Sequence, residues 1–253
     1  MKIISVVNQK GGVGKTTSVI NIAASLAMSN FRTLVIDFDP QNNLSSGLGV
    51  DPAQREKNIY NVVFNNYDEN ECIQQTKIKK LDIIPAKEDL AAFELDAINR
   101  ERREFLLSGA LEKIKNRYDF ILVDCPPSLG LLTVNALTCC DFVLIPTQCE
   151  YFSLEGISHL LETAETIKRN FNSGLKILGV LLTMYDRRNK LTEQIENDIR
   201  ECLGDLVFKN VIPRNVKLTE CASFGTPAII YDPGCVGAMA YNDFVKEMVK
   251  RDV

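Results

Sequence analysis

The sequence predicts an α/β fold: a doubly wound, mainly parallel sheet with helices on both faces. Short apolar runs recur along the chain, stretches with apolar residues three and four apart separate them, and a glycine-rich loop follows the first run. Continuous apolar runs are typical of strands that are buried on both faces of a parallel sheet. The alternation of such strands with helices implies the doubly wound arrangement.

The candidate strands are short runs enriched in Ile, Leu, Val and Phe. They cover 3–7, 33–37, 81–85, 120–124, 142–146 and 177–183. Segments with helical spacing cover 17–28, 100–115, 154–171 and 192–203. A last helix is expected within 233–252, where one face that can pack on the core carries Tyr241, Phe244, Val245 and Met248.

Length and composition fit a single domain over 1–253. A chain of 253 residues with 45% hydrophobic residues can bury a substantial core. No linker rich in Gly, Pro and Ser divides it, although 51–80 is more polar and can form an excursion. The formal charge of -4 and the pI near 5.3 exclude a uniformly basic surface, so any contact with a nucleic acid requires a local basic patch.

Targeting and redox signals indicate a cytoplasmic protein. The chain opens on an apolar run without the sections of a secretion signal, and no run reaches the ~18 apolar residues of a membrane span. None of the eight cysteines forms a CxxC pair, so we expect reduced thiols that mostly fill the core. His159 is the only histidine and no nucleophile motif lies near it, so we expect it to be solvated or at the core edge.

Residues 8–17 read NQKGGVGKTT, close to the phosphate-binding pattern GxxxxGK followed by Ser or Thr. Gln9 stands where the first glycine is expected, and Lys10 adds a second lysine. Between a strand and a helix, backbone amides and the helix N-terminus can surround phosphate oxygens. Lys15 is expected to neutralise the β and γ phosphates and Thr16 to ligate Mg²⁺. The candidate nucleotide-binding residues of this loop are Lys10, Gly11, Gly12, Val13, Gly14, Lys15, Thr16 and Thr17.

The stretch KGGVGKTT resembles the deviant Walker A motif of the ParA/MinD ATPases, with Lys10 at the position of their signature lysine. The resemblance implies a P-loop ATPase that uses ATP and Mg²⁺. It also implies a homodimer that sandwiches ATP, in which Lys10 reaches the partner's phosphates. Such a cation resembles an arginine finger, which can contribute ~10³ to 10⁵ in rate.

Three carboxylates follow predicted strands. Asp37 and Asp39 lie at the carboxyl end of the second run and Asp124 ends the fourth, at the edge where parallel α/β sheets bind ligands. Asp124 is expected in the magnesium shell as the Walker B acid. The resemblance assigns Asp37 to the magnesium neighbourhood and Asp39 to polarising the attacking water. The expected catalytic residues are therefore Lys10, Lys15 and Asp39.

The segment IPRNV resembles the part of the same family that contacts adenine. The resemblance implies that Pro213 and Asn215 read the base, with Met184 near it; a structural turn is the alternative. The chain departs from the family in FGTP at 224–227, where many relatives carry a histidine before the glycine.

Basic residues cluster in MYDRRNKL and PRNVKL, and a solvated face is the alternative for each of them. With DFDPQNNLSSGLG and VDCPPSLGLLTVNAL, these segments resemble partition ATPases of the Soj/ParA type. The resemblance implies that Arg188 and Lys217 contact DNA without sequence preference. Lys217 is often arginine in relatives, and lysine keeps the charge but loses the bidentate fork. The basic candidates are Arg187, Arg188, Lys190, Arg214 and Lys217.

The resemblance covers nearly the whole chain and implies a DNA switch controlled by ATP. A dimer doubles a weak, salt-sensitive patch, so DNA binding follows the nucleotide state. The implied partners are a second copy, double-stranded DNA and a ParB-like centromere-binding protein that stimulates hydrolysis, with no membrane; the implied location is the cytoplasmic nucleoid. Two alternatives stay open: a MinD-like ATPase whose C-terminal helix binds a membrane, and a redox ATPase resembling nitrogenase iron protein, whose cysteine motifs are not found here.

Overall fold

The strands of the computed structural model, which describes residues 1–64 and 67–251, form one sheet. In chain order they are β1 (Lys2–Val6), β2 (Thr33–Asp37), β3 (Gln74–Gln75), β4 (Leu81–Ile84), β5 (Phe120–Asp124), β6 (Phe142–Gln148) and β7 (Lys176–Thr183). Across the sheet the order is β3-β4-β2-β5-β1-β6-β7. Neighbours are parallel except β3, which pairs antiparallel with β4 at one edge. The predicted mainly parallel, doubly wound sheet is confirmed, and every predicted strand is present.

Helices cover both faces of the sheet. They are α1 (Lys15–Met28), α2 (Asn43–Gly47), α3 (Ile59–Val63), α4 (Glu69–Cys72), α5 (Phe93–Ala97), α6 (Leu106–Leu111), α7 (Leu131–Cys139), α8 (Ser153–Asn170), α9 (Lys190–Leu203), α10 (Val216–Ser223), α11 (Ala228–Tyr231) and α12 (Val236–Lys250). Short 3-10 turns lie at Pro52–Gln54, Glu88–Ala92, Arg103–Phe105, Lys115–Arg117 and Gly204–Leu206.

Alternate side chains of the central strands enter two separate cores. On one face, Ile121 and Val123 of β5 pack with α6, α7 and α8. On the other face, Phe120 and Leu122 pack with α1 and α12. The apolar face predicted for the last helix is buried in this second core, with Tyr241 1%, Phe244 0%, Val245 2% and Met248 0% exposed. Residue 252 of that prediction lies outside the described residues.

The single helix predicted over 100–115 is wrong. Arg102 has a φ of 54°, a left-handed conformation that the interior of a helix does not adopt. The segment instead forms a 3-10 turn, the short α6 and a second turn. Gly109 within α6 lowers its helix propensity further.

The sequence did not predict β3, α7 or the short helices α2, α3, α4, α5, α10 and α11, and α7 and β3 show why. α7 has no exposed residue and buries polar as well as apolar side chains, so it carries no amphipathic stripe that would mark a helix. β3 consists of two glutamines in the polar segment 51–80 and shows no apolar run. That segment also contains α3 and α4, whose residues Ile59, Val62, Val63 and Cys72 join the first core.

The residues set aside as non-catalytic have ordinary surroundings. His159 is exposed on α8. All eight cysteines are free thiols, and burial raises the pKa of Cys140 to about 12, so this thiol stays protonated. Within 1–64 and 67–251, no helix has both the length and the apolar character needed to cross a membrane.

Candidate functional site

The loop between β1 and α1 is shaped to admit an anion. Gly12 and Gly14 have φ values of 75° and 88°, left-handed conformations that favour glycine. α1 starts directly after Gly14, whose carbonyl oxygen accepts a hydrogen bond from the Ser18 amide at 2.9 Å. The N-terminus of α1, where the peptide dipoles concentrate positive potential, therefore faces the space in front of the loop.

Side chains from neighbouring strands hold this loop. The Thr183 hydroxyl, at the end of β7, donates to the carbonyl oxygen of Val13 at 2.7 Å. Gln148 Nε2, at the end of β6, donates to the carbonyl oxygen of Gly12 at 3.0 Å. The side-chain amide of Asn8 donates to a carbonyl oxygen of β6 at 2.8 Å. Sequence reasoning missed these residues, and the available signal was a polar residue at the carboxyl end of a buried strand.

The two lysines of the loop have different surroundings. Lys15 is 7% exposed, and its Nζ donates to the carbonyl oxygen of Lys10 at 3.3 Å. Burial lowers the pKa of Lys15, and the carboxylates of Asp124 and Asp39 oppose this shift. The Lys10 side chain instead forms an exposed ion pair with Glu150 of the same chain.

Two carboxylates end adjacent strands. Asp37 of β2 and Asp124 of β5 are register partners in a parallel pair, and both are fully buried. Asp37 Oδ2 accepts hydrogen bonds from the Ser45 amide at 2.8 Å and the Ser45 hydroxyl at 2.6 Å. Burial raises the pKa of Asp37 to about 6, and the bonds from Ser45 oppose the shift.

The carboxylate of Asp124, at the end of β5, is fully buried. Within 1–64 and 67–251, neither of its buried carboxylate oxygens has a hydrogen-bond partner. Burial and the neighbouring charge of Asp37 raise the pKa of Asp124 well above its ordinary value. The Thr16 hydroxyl opposes this shift, although it forms no hydrogen bond with either oxygen. An unpaired buried carboxylate is costly and Mg²⁺ takes oxygen ligands, so Thr16 and Asp124 fit a magnesium site.

Protein side chains alone do not complete a metal site. In the described part of the chain, no group of three or more His, Cys, Asp and Glu side chains is arranged to hold an ion. Mg²⁺ commonly keeps several waters and binds one or two carboxylates together with substrate phosphates. The donors present here therefore fit Mg²⁺ that arrives with a phosphate ligand.

A cavity of about 350 Å³ lies in front of the glycine-rich loop. Asp39 lines it, is 7% exposed, and accepts a hydrogen bond at Oδ1 from the Gln41 amide at 2.9 Å. The full lining is Gly11, Gly12, Gly14, Lys15, Thr16, Thr17, Asp39, Gln41, Asn43, Pro127 and Met184. The structure thus brings Asp39 together with Lys15 and Thr16. Sequence reasoning missed Gln41 and Asn43.

A second cavity, of about 220 Å³, adjoins the first and shares Gly14, Thr17 and Met184 with it. Its other residues are Thr183, Ile212, Pro213, Arg214, Asn215, Leu218, Thr219, Ala222 and Tyr241. Mostly apolar walls with a few polar groups are typical of a small-molecule pocket. The residues expected at the base, Met184, Pro213 and Asn215, therefore meet beside the loop.

The turn that carries Met184 is tied to the turn that carries Pro213. Met184 has a φ of 49°, an uncommon left-handed value for a residue other than glycine. The next residue, Tyr185, donates its amide to the carbonyl oxygen of Ile212 at 2.9 Å and accepts a bond from the Arg214 amide at 3.0 Å. The two turns thus form one unit at the rim of the second cavity.

The basic residues expected to contact DNA lie on these same turns. Arg187 and Arg188 follow β7, Arg214 precedes α10, and Lys217 is in its first turn. Arg187 and Arg214 are exposed, and neither forms an ion pair within 1–64 and 67–251. Lys190, also exposed, is the first residue of α9.

The two basic residues singled out by family resemblance are paired within the chain. Arg188 contacts Asp186 at 2.9 Å, and its side chain is 88% exposed. Lys217 contacts Glu220 at 2.8 Å, with both side chains partly exposed. Exposed pairs of this kind are worth about 0–1 kcal/mol, so a stronger anion such as a phosphate can displace the carboxylates.

Relatives of known name match the chain along almost its whole length. Residues 1–177 match the AAA domain family. The sporulation initiation inhibitor protein Soj of Bacillus subtilis (strain 168) is 48% identical over 247 residues, which cover 98% of each chain. The chromosome partitioning protein ParA of Myxococcus xanthus is 46% identical over 99% of this chain and 89% of that protein. The chromosome-partitioning ATPase Soj of Treponema pallidum is 45% identical over 99% of this chain and 98% of that protein.

Solved structures with bound nucleotide share the fold. Cobyrinic acid a,c-diamide synthase from Mycobacterium smegmatis, with bound ATP analog and magnesium, has a TM-score of 0.89 at 33% identity and covers 99% of this chain and 95% of that one. The septum site-determining protein MinD from Pyrococcus horikoshii, complexed with Mg-ADP, has a TM-score of 0.81 at 27% identity and covers 99% and 97%. Because proteins with different named functions share this fold, sequence identity is the better guide among them.

Proposed function

The chain belongs to the Soj/ParA family of chromosome-partitioning ATPases, and from this premise we propose that it is a dimeric switch that binds DNA while it holds ATP. The main observation that supports this proposal is the contrast between the two lysines of the loop. Lys15 is buried in the phosphate cavity, whereas Lys10 lies outside that cavity beside Glu150. One chain therefore supplies a nucleotide site, and the exposed lysine lies outside that site, where a second chain can reach it.

ATP with Mg²⁺ is the ligand of this site. Lys15 and the loop amides would bind the phosphates, and Thr16 and Asp124 would hold the metal, with Asp37 as the neighbouring carboxylate. When bound, Mg²⁺ neutralises charge on the β and γ phosphate oxygens. The unpartnered oxygens of Asp124 support this assignment. The second cavity, which Met184, Pro213 and Asn215 line, would take the base.

Dimerisation places two ATP molecules between two loops. In such a sandwich Lys10 exchanges Glu150 for the partner's phosphates, a displacement favoured by the low worth of an exposed ion pair. Asp39 polarises the water that attacks the γ-phosphate, so hydrolysis needs groups from both subunits. Loss of the γ-phosphate then removes the anion that joins them.

DNA binding follows dimerisation because two patches act on one duplex. Each patch offers the cations Arg187, Arg188, Arg214 and Lys217. A few phosphate contacts give weak, salt-sensitive affinity, and doubling them raises it by avidity. A ParB-like centromere-binding protein is the partner that stimulates hydrolysis and so releases the cytoplasmic, nucleoid-bound dimer during segregation of a chromosome or plasmid.

The DNA step is tested by anisotropy of a labelled random-sequence duplex with Mg-ATP and, separately, with Mg-ADP. We expect binding with ATP only, with an affinity that falls steeply with salt. Arg188→Glu should weaken it roughly tenfold or more and lower the salt slope, because each dimer loses two phosphate contacts. Arg169→Glu on α8 is the matched control: Arg169 is also exposed and paired locally, with Glu165, and should keep DNA affinity.

The DNA proposal has clear points of failure. Equal binding in ATP and ADP would overturn the switch. Unchanged DNA affinity of Arg188→Glu, with ATP-driven dimerisation intact by light scattering, would show that the patch is misplaced.

Asp39→Ala is expected to bind ATP with little change and to lose hydrolysis by roughly 10²- to 10⁴-fold, the range for removal of a general base. Asp39 lines the phosphate cavity, and among the described residues it forms no hydrogen bond with the glycine-rich loop. ATP dimers should therefore accumulate. Single-turnover hydrolysis and light scattering measure both effects, and Asp39→Asn keeps the shape without the charge as a control. Full turnover by Asp39→Ala would remove this residue from the reaction.

The membrane-positioning alternative gains little support from the last helix. A lipid anchor needs a free apolar face, and the face of α12 that carries Tyr241, Phe244 and Met248 is buried against the core. Sedimentation with anionic liposomes and ATP is the direct comparison. Sedimentation with liposomes, without DNA binding, would favour the MinD-like function.

A further inference from the structure

We propose that Arg55 is a positioning residue for ATP hydrolysis, which holds the turn that presents Asp39 to the phosphate cavity; this role rests on the function proposed above for Asp39. Arg55 lies in the polar segment 51–80, follows the 3-10 turn Pro52–Gln54, and does not line the cavity itself. It therefore acts through the residues that it contacts.

The Arg55 guanidinium is buried without an opposite charge. The residue is 4% exposed, and within 1–64 and 67–251 it forms no ion pair. Nη1 donates to Asn42 Oδ1 at 2.7 Å, and Nη2 donates to the carbonyl oxygen of Val50 at 2.7 Å and to Ser46 Oγ at 3.1 Å. Nε has no partner in the same described residues. Burial of an uncompensated charge is unfavourable, so stability alone does not account for an arginine here.

All three acceptors belong to one segment that directly follows Asp39. Asn42 is its turning point: it precedes α2, has a left-handed φ of 47°, and donates its amide to the carbonyl oxygen of Asp39 at 2.9 Å. A left-handed φ is uncommon for a residue other than glycine, although asparagine adopts it more readily than most residues, and contacts from the surroundings help to fix it. Arg55 binds the side chain of the very residue that makes the turn.

This turn orients two carboxylates of the site. Gln41, one residue before Asn42, donates its amide to Asp39 Oδ1. Ser45, on α2, donates to Asp37. The glycine-rich loop is anchored separately, by β6 and β7. Relaxation of the turn should therefore misplace Asp39 and leave the phosphate-binding loop intact.

Arginine suits this position better than lysine does. The acceptors are a side-chain amide, a hydroxyl and a backbone carbonyl on one curved segment. A planar guanidinium offers five N–H donors in a fixed fork, whereas an ammonium is a compact point donor. Arg55→Lys keeps the charge and should recover only part of the function.

The test measures ATP hydrolysis by Arg55→Met, Arg55→Lys and the control Arg251→Met. Arg251 also donates to backbone carbonyl oxygens, of Asp205 at 3.0 Å and Val207 at 3.2 Å. Its guanidinium lies over the ring of Phe208, which belongs to the second core. We expect Arg55→Met to lower kcat roughly tenfold or more, since small misplacements of reacting groups are costly. Its KM for ATP should stay within about threefold, because the residues that bind ATP equally in the ground state and the transition state are unaffected. Arg251→Met should lower Tm and leave kcat unchanged.

A double variant separates positioning from general destabilisation. In single-turnover assays, Arg55→Met on the Asp39→Ala background should cause no further loss, because Arg55 acts through Asp39. An additional full loss, an unchanged kcat in Arg55→Met, or a raised KM with normal kcat would overturn the proposal. If Arg55→Met does not fold, Asn42→Ala and Arg55→Lys test the same contact. Normal hydrolysis by Arg55→Met with loss in Asp39→Ala refutes only this role, whereas no hydrolysis by the unmodified protein refutes the proposed function.

Discussion

Replacing Lys15 by alanine is expected to weaken ATP binding by roughly 30- to 4,000-fold. Removal of one partner from a buried, hydrogen-bonded charge pair costs about 2–5 kcal/mol. Lys15 is 7% exposed and lines the phosphate cavity. If its ammonium group is removed, water therefore cannot easily take its place beside a bound phosphate. Its pKa is lowered by burial, and a bound triphosphate would favour the charged form of this lysine. Titration with a fluorescent ATP analogue and Mg²⁺ measures the loss.

Two controls accompany this prediction. Lys176→Ala, at the exposed first residue of β7, removes a lysine remote from the cavity and should leave affinity unchanged. Without nucleotide, Lys15→Ala should unfold near the temperature of the unmodified protein, because among the described residues Lys15 Nζ makes one hydrogen bond, at 3.3 Å. Affinity within about threefold of the unmodified protein would contradict the assignment of Lys15 to the phosphates.

Six of the seven strands, all but β3, could be predicted because each of them reads as a continuous apolar run that is largely buried. The same burial placed Asp37 and Asp124 at the end of such runs, and parallel pairing makes them neighbours. Helices with an amphipathic stripe, such as α8, were also visible. α7 was not, because it is surrounded by apolar neighbours and needs no polar face.

The site could be predicted where local sequence carries the chemistry. Gly12, Gly14, Lys15 and Thr16 lie within five residues of the chain, so their geometry follows from a strand, a turn and a helix start. The supporting bonds could not be predicted, because they join distant segments. The hydrogen bond from Gln148 to the glycine-rich loop depends on the order of the strands in the sheet rather than on any local sequence pattern.

The burial of Arg55 could not be predicted from the composition of its segment. In a polar segment, an arginine is expected to be solvated. Its burial follows from the path of 42–50 around it, which only the folded chain reveals. The same holds for Lys10, whose signature position in the sequence gives no hint that Glu150 holds it in the single chain.

Lys10→Ala is expected to bind ATP normally and to lose dimer-dependent hydrolysis by roughly 10³-fold or more, the range for a cation supplied to the transferred phosphoryl group. Lys10 does not line the cavity of its own chain, and the side chains of the Lys10–Glu150 pair are 51% and 49% exposed. Glu150→Gln is the matched control, because it frees Lys10 without removing it and should retain hydrolysis. Turnover is measured with saturating ATP, Mg²⁺ and DNA.

A mixture of two inactive variants decides whether Lys10 acts on its own chain or on its partner. In a heterodimer of Lys10→Ala with Asp39→Ala, the nucleotide bound to the first chain meets an intact Asp39 from that chain and an intact Lys10 from its partner. Random pairing gives heterodimers half of the time, each with one complete site, so hydrolysis should return to about one quarter of the normal rate. If Lys10 served the nucleotide of its own chain, neither site of the heterodimer would be complete and mixing would restore nothing. Because both variants are mixed before ATP is added, the recovered rate depends on which subunit supplies the lysine rather than on folding or affinity.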